Sequence, residues 1–409
     1  MATNRQTSPS RRTGVRGAVA PRTPVRRPRL RLTATSYIVH TQPGLEGIAL
    51  AEVEARFAAI AAKRSSSSEP RPTAPVPSVH EIARRVIPGR AGMCLLEVSE
   101  AEPLCLLRST EDIFAAVAYQ SGITEERLAL DHVRRTAREA PYVETALASR
   151  VKTLPGSRAG RRLKFRVIAR VVGDHAFKRV EFQRAVERGI EERGDRAWRL
   201  VEDEADVEFW ASLIEDEFFL AIRLSDETMR LREYKAAHIP GSLRPSVAAA
   251  MGILSRPQSD DVVLDPFCGA GTILIERAHL ERYQSLVGGD LDRGALEAAR
   301  TNIGPRYKPI EVHSWDAAAL PLPDRAVNRI ITNLPWGSKH GSHADNRRLY
   351  PRLFKEFARL IQPGGVVVML TGETRLMGDL LRTGPLRAER IFRVSILGAP
   401  AAIYVCPQR

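Results

Sequence analysis

The sequence predicts a doubly wound, mostly parallel α/β sheet that ends in an antiparallel hairpin and is preceded by two smaller α+β units. Three observations carry this expectation. Beyond residue 235, short runs rich in Val, Ile and Leu alternate with stretches of helical periodicity, the pattern of parallel strands joined by crossover helices. The last two apolar runs lie only a few residues apart, too close for a crossover and suited to a hairpin. And 409 residues exceed what one domain of roughly 100–200 residues holds.

The elements follow in order from the N-terminus. The first 34 residues hold nine arginines, no acids and no apolar periodicity, so a disordered basic tail is expected over 1–34. It lacks the apolar core of a secretory signal; an organelle transit peptide, a phosphate-binding arm and a plain solvated extension are the readings open to it. From Ser36, "SYIVHTQPGLEGIALAEVEARFAAIAAK" reads as strand, Pro-Gly turn and amphipathic helix. "RSSSSEPRPTAPVPS" breaks periodicity as a linker does. "MCLLEVSE" and "PLCLLRS" read as strands and "TEDIFAAVAY" as a helix, closing a first unit over 35–118.

A second unit, 119–228, opens on the helix "TEERLALDHVRRTAREA" and the basic loop "RVKTLPGSRAGRRLK". The strand "FRVIARVV", the helix "FKRVEFQRAVERGIEERG" and the strands "ADVEFWASLIED" and "EFFLAIRLS" complete it. In the third unit, 235–409, "DVVLDPF", "LVGGD", "IEVHSWD", "VNRIITNLP" and "GGVVVMLTG" are strands. "GTILIERAHLERY", "RGALEAARTNI" and "NRRLYPRLFKEFARLIQ" are the helices between them, and "RIFRVSILG" with "AAIYVCPQ" forms the hairpin.

Composition narrows the function classes. The formal charge is +14, and with nine positive charges in the tail only five of that surplus remain for the body, so a polyanionic partner is suggested mainly by the N-terminus. No stretch approaches the ~18 uncharged apolar residues of a membrane span, and no membrane role is expected. Cys94, Cys105, Cys268 and Cys406 show neither a C-x-x-C pair nor histidines at zinc spacing. A reducing, cytoplasmic setting without disulfides or metal is expected.

In a doubly wound sheet ligands gather beyond the carboxyl ends of the strands, and the unusual residues of this chain fall there. "LDPFCGAGT" places Asp265, Phe267, Gly269, Gly271 and Thr272 in a strand-to-helix turn whose glycines let backbone approach a ligand. The dinucleotide pattern G-x-G-x-x-G is not met, because Leu274 stands at its third glycine, and no G-x-x-x-x-G-K-[ST] loop exists. Asp290 ends the second strand, where a carboxylate accepts hydrogen bonds from ribose hydroxyls. Asp316, in "SWD", ends the third and is available to an adenine amino group. Each acid alone is more readily a helix cap or a solvated residue; together they outline a site for an adenine nucleoside without a phosphate clamp.

The fourth strand ends in "RIITNLPWG". The carboxamide oxygen of Asn333 and the backbone carbonyl of Leu334 can accept both hydrogens of an exocyclic amine and so orient its lone pair. Pro335 fixes φ at about −65° and holds that carbonyl. Trp336 offers a face for stacking on a base taken out of its helix. The bland reading of the same stretch is an Asn cap followed by a core Trp.

On these residues the chain resembles the adenosylmethionine-dependent methyltransferases that act on amino groups, whose signature is Asp/Asn/Ser, Pro or another residue, Pro, then Tyr/Phe/Trp. Leu334 replaces the first proline, at a position whose role belongs to a backbone carbonyl. More narrowly, "LDPFCGAGTILIERA" with "TNLPWGSKHGS…LYPRLFKEFARLIQPGG" is similar to the tRNA guanine-N2 methyltransferases that carry a THUMP domain, in the branch acting on the acceptor-stem guanine at position 6. "YIVHTQPGLEGIALAEVEA" is similar to that family's N-terminal ferredoxin-like domain, and "FRVIARVVGDHAFKRVEFQRAVERGIEE" to its THUMP domain.

The resemblance implies a Rossmann-like class I methyltransferase domain at 235–409 behind a ferredoxin-like domain (35–118) and an RNA-binding THUMP domain (119–228). It implies S-adenosyl-L-methionine as cofactor, held by the loop of Asp265, Phe267, Gly269, Gly271 and Thr272, with Asp290 at its ribose and Asp316 at its adenine. Backbone near Ser242 and Leu243, in "HIPGSLRPSVAAAM", and Asn333 complete that set, while Asn333, Leu334, Pro335 and Trp336 hold the target guanine. The implied partner is tRNA and the implied state a monomer, with room left for a small activating protein. The rivals are a large-subunit (23S) ribosomal RNA guanine-N2 methyltransferase, a DNA adenine methyltransferase, and a non-catalytic RNA-binding protein with a vestigial methyltransferase fold.

Overall fold

Two sheets organise residues 30–65, 78–88, 90–337 and 342–408, which a computed structural model of the chain describes. The first arises from β1 (Ser36–Thr41), α1 (Glu46–Ser65), β2 (Val79–Ile87), β3 (Ala91–Val98), β4 (Asp112–Ser121), α2 (Ala129–Arg138) and α3 (Val143–Thr153). It continues through β5 (Arg162–Val172), α4 (Arg179–Glu191), β6 (Ala197–Leu200), β7 (Val207–Ile214) and β8 (Glu217–Arg223). The strand order is β2-β3-β1-β4-β8-β7-β5-β6. One face carries the helices, with Val53, Val133, Leu147 and Val186 in a single core; the other gathers Ile38, Phe114, Trp210 and Phe219. Because β4 pairs antiparallel with β8, the sheet runs unbroken through residues 118 and 119.

The second sheet is built from α5 (Thr228–Leu231), α6 (Pro245–Leu254), β9 (Val262–Asp265), α7 (Thr272–Ala278), β10 (Ser285–Gly289), α8 (Arg293–Ile303) and β11 (Ile310–His313). After these come β12 (Val327–Asn333), α9 (His343–Leu360), β13 (Ile361–Thr371), α10 (Thr374–Thr383), β14 (Arg390–Ile396) and β15 (Ala399–Pro407). Its order is β11-β10-β9-β12-β13-β15-β14. The first five strands are parallel and β15 is antiparallel to both its neighbours, the doubly wound sheet with terminal hairpin that the sequence predicts. Among the described residues no helix is long and apolar enough to cross a membrane.

Several elements differ from expectation. The run Thr110–Tyr119, expected as a helix, contains most of β4; its alanines favour helix, but it lies in the middle of the sheet with both faces buried, and tertiary burial overrides propensity. The run 103–109, expected as a strand, overlaps a 3₁₀ turn, Glu102–Leu106, with Pro103 in its first turn and no β-branched residues. Strand β2, charged and half exposed at the sheet edge, and helices α3 and α10 were not expected; α10 has Gly378 in its interior. Residues 1–29 of the expected tail and 66–77 of the expected linker lie outside the described residues. Packing begins inside the expected tail, since Leu32 is buried and its carbonyl accepts the Tyr142 hydroxyl at 3.0 Å.

The two sheets are joined by buried charge. Glu276 of α7 is wholly buried and accepts from Arg108 Nε at 2.7 Å, Arg232 Nε at 3.3 Å and Tyr234 Oη at 2.8 Å. Glu111 accepts from Gln42 Nε2 at 2.8 Å, Arg244 Nη1 at 3.0 Å and Ser246 Oγ at 3.1 Å. Leu45 and Ile48 sit in the core of the second sheet beside Val247 and Val394, and Ser395 N donates to Pro43 O at 3.0 Å. The first sheet is thereby fastened both to the hairpin edge of the second and to the start of α6.

Candidate active site

The strand order reverses between β9 and β12, which opens a crevice at their carboxyl ends. Asp265, the last residue of β9, is fully buried; its Oδ1 accepts the Phe267 amide at 3.2 Å, while Oδ2 has no hydrogen-bond partner. Burial pushes its carboxyl up to about 7, against the pull of the neighbouring Thr332 hydroxyl, itself buried without a hydrogen bond, and of the Phe267 amide. The following loop turns through Gly269 at φ +52° and Gly271 at φ +77°, left-handed conformations that residues with a Cβ rarely adopt. Its register against β10 is fixed by Gly269 N donating to Asp290 Oδ2 and Cys268 N to Gly289 O, both at 2.9 Å. Asp290 Oδ1 accepts Asp292 N at 3.0 Å. Asp290 thus anchors the glycine loop, and each of its oxygens retains a further acceptor lone pair.

A strap over 235–243 lies along this loop. Asn302 of α8 ties the two together: Nδ2 donates to Ala237 O and Ala270 O, both at 3.0 Å, and Oδ1 accepts Ala237 N at 2.8 Å. A Cβ on Gly269 would stand 3.5 Å from the Ile239 side chain, so the strap and the loop are in contact. Lys235 Nζ donates to Leu243 O at 2.8 Å, and burial pulls its pKa down to about 8. Ser242 Oγ, Asp265 Oδ2 and Thr272 Oγ1 are all buried without partners. Buried polar atoms are normally satisfied, so three orphans around one loop describe a cradle for a polar ligand. The role of Asn302 was not legible in the sequence, where it sits in a regular helical run.

Asp316 is placed differently from expectation. β11 ends at His313, and Asp316 lies three residues on, half exposed, with Oδ1 accepting Ala318 N at 2.9 Å and Oδ2 3.6 Å from Arg352 Nη2. It caps its own turn, beside Trp315, whose ring stacks on His313 at 4.3 Å between centroids.

The fourth strand end is organised around two acceptors. Asn333 Oδ1 accepts Trp336 Nε1 at 3.0 Å. Leu334 continues the sheet, its N–H on Leu370 O at 3.0 Å and its side chain buried. Pro335 O accepts both Asn346 Nδ2 at 2.9 Å and Tyr350 Oη at 2.7 Å, from α9. The Trp336 ring rests against Gly372, where a Cβ would stand 2.9 Å from Cε3. Residues 338–341 of the same stretch lie outside the described residues. Asn346, Tyr350, Thr371, Gly372 and Glu373 were all missed in the sequence. The available signal was the spacing of Asn346 and Tyr350, two polar-capable residues four apart on the apolar face of an amphipathic helix.

The site can therefore offer a polar cradle at the glycine loop and, one strand away, a carboxamide oxygen and a backbone carbonyl beside an aromatic ring. Residues 232–400 match the UPF0020 family, described as RMKL-like, methyltransferase domain. The tRNA (guanine(6)-N(2))-methyltransferase THUMP3 of Mus musculus is 31% identical over 260 residues, 59% of this chain and 51% of that protein. The tRNA (guanine(6)-N2)-methyltransferase of Thermus thermophilus is 34% identical over 224 residues, 54% of this chain and 65% of that one. The chain spans about half the length of the mammalian relatives it matches. The crystal structure of TrmN from Thermus thermophilus has a TM-score of 0.68 to this structure at 25% identity, covering 91% of this chain and 99% of that one.

Proposed function

We propose that this chain, whose residues 232–400 match the RMKL-like methyltransferase domain, is an S-adenosylmethionine-dependent RNA methyltransferase acting on the exocyclic N2 of a guanosine in the tRNA acceptor stem. The observation that carries the reading is the adjacency of two half-sites on neighbouring strands, the cradle after β9 and the Asn333–Trp336 turn after β12. The relatives named for guanine-N2 transfer to tRNA support the same reaction.

The three orphan atoms fit the cofactor: Ser242, Asp265 and Thr272 would hold its polar groups, with Asp290 at the ribose. When bound, adenosylmethionine supplies an electrophilic methyl on a sulfonium centre. The protein's part is placement. Asn333 Oδ1 and Leu334 O accept the two N2 hydrogens, which draws the nitrogen lone pair out of conjugation with the ring and aims it across the crevice. Pro335 and Trp336 fix those acceptors, and the indole supplies a stacking face. Bringing nucleophile and electrophile to about 3–3.5 Å is where much of such a rate enhancement arises. Attack by neutral N2 leaves a cationic nitrogen, and because guanine N2 is so weakly basic that cation is strongly acidic and passes its proton to water after attack; we assign no general base.

The first sheet is read as ferredoxin-like (35–118) and THUMP (119–228) units that grip the RNA. Lys152, Arg158, Arg161, Arg162 and Lys164 are exposed around the loop before β5 and would meet phosphates. The test is incubation of the full chain with labelled adenosylmethionine and, separately, bulk tRNA, ribosomal RNA and DNA, followed by nucleoside mapping. N2-methylguanosine at one acceptor-stem position is expected. Label confined to ribosomal RNA or DNA moves the protein to the corresponding rival, and no label in any arm overturns the reading.

A further inference from the structure

We propose that Tyr350, Thr371 and Asn346 form a positioning relay that sets the Pro335 carbonyl and, through it, the amine-accepting Asn333–Trp336 turn. This rests on the reading above and adds residues that touch neither substrate nor cofactor. Asn346 and Tyr350 lie one helical turn apart on α9 and both donate to Pro335 O, at 2.9 and 2.7 Å, filling its two lone pairs. Tyr350 Oη is also 2.7 Å from Thr371 Oγ1, and Glu373 N donates to Thr371 Oγ1 at 3.0 Å.

The acceptor at the end fixes the direction of the chain. A carbonyl cannot donate, so the single phenolic hydrogen goes to Pro335; Thr371 must then donate to Tyr350, and the Glu373 amide to Thr371. Burial raises the Tyr350 pKa, so the hydrogen stays in place. Asn346, Tyr350 and Thr371 are all buried, 0 to 1% exposed, where an unsatisfied hydroxyl or amide is costly and a connected chain polarises its members. Asn346 Nδ2 also reaches Glu373 Oε1 at 3.0 Å, so the same acid residue closes the network at both ends. The relay thus joins the far end of β13 to the one carbonyl between Leu334 and Trp336.

The experiment compares Tyr350→Phe, Thr371→Val and Thr371→Ser with wild type on a tRNA substrate, in single turnover. A placement error of about 1 Å costs on the order of a hundredfold, so Tyr350→Phe and Thr371→Val should lower kcat roughly ten- to hundredfold with KM and cofactor affinity little changed. Thr371→Ser, which keeps the hydroxyl, should restore most of the rate. Combined with Asn333→Ala, Tyr350→Phe should cost almost nothing further, because the turn it positions is already disabled. Rates within twofold of wild type for Tyr350→Phe, or an equal loss in both backgrounds, overturn the relay while leaving the methyltransferase reading intact. Absence of transfer by the wild-type chain to any nucleic acid overturns both. Thermal unfolding of each variant, expected within a few degrees of wild type, separates lost positioning from lost folding; a loss of rate matched by a collapse of the fold counts against the relay.

Discussion

The indole N–H of Trp336 donates to the carboxamide oxygen of Asn333 at 3.0 Å. Indole is a donor only, so this bond settles which end of the amide stands at the site: the oxygen is held toward the ring, with one lone pair left for an incoming N–H. Trp336→Phe keeps a stacking face and removes the donor. The loss of one neutral hydrogen bond, about 0.5–1.5 kcal/mol, should appear as a roughly three- to tenfold fall in kcat, whereas Asn333→Ala should cost at least a hundredfold. Steady-state methyl transfer to tRNA measures both.

Gly372 supports the same ring from the other side. A Cβ there would stand 2.9 Å from Trp336 Cε3, closer than real contacts permit. Gly372→Ala should therefore displace the indole, lowering methyl transfer while adenosylmethionine binding by calorimetry stays within twofold of wild type. Unchanged transfer would show that the ring plane does not matter.

Asp265 makes stability depend on pH in the direction opposite to a salt-bridged acid. Its carboxyl is raised to about 7 in the fold, against about 3.9 unfolded, so the native state binds this proton more tightly. The associated stability is present at low pH and is lost as pH rises from about 4 to about 7, at up to about 1.4 kcal/mol per unit. Asp265→Asn should raise the ligand-free Tm at pH 8 more than at pH 5. Adenosylmethionine, carrying cationic groups, should bind wild type more weakly as pH falls below 7, with that dependence flattened in the variant.

Glu276 joins the two sheets by accepting from Arg108, Arg232 and Tyr234 while wholly buried. Glu276→Ala leaves two guanidinium groups without their carboxylate and should destabilise by ~3–5 kcal/mol. Urea denaturation of the full chain reads this out, and a change under 1 kcal/mol would be inconsistent with the closed geometry of the cluster.

The exposed cations before β5 give a salt-dependent prediction. Arg161→Ala and Arg162→Ala, on this reading phosphate contacts, should each weaken tRNA binding and reduce the slope of log K against log salt by about 1, without changing which nucleoside is methylated.

The second sheet was nearly complete in the sequence because its strands are continuous apolar runs closed by chemically odd residues: Asp265, Asp290 and Asn333 stand at or just beyond strand ends as read. β4 was not legible, since its Ala-rich text favours helix until its place between β1 and β8 is known. Asp316 was read as a strand end because "HSWD" continues an alternation that the backbone abandons at His313. Asn302, Tyr350 and Thr371 were missed for a different reason. Each acts on a group distant in sequence, 302 on the backbone of 237 and 270, 350 on the carbonyl of 335 and 371 on the hydroxyl of 350, and no local spacing names such a partner.

The carboxylate of Glu111 is shared by Gln42, at the end of β1, and by Arg244 and Ser246, at the start of α6. One acid thus welds the end of the first sheet's β1 to the segment leading out of the polar cradle. On the proposed reading, two jaws joined this way form a caliper: an RNA held by one jaw would present to the other whichever nucleotide lies at the fixed span between them. Under that reading, selection of a guanosine would follow from distance along the helix, with the base pocket checking only that a guanine has arrived.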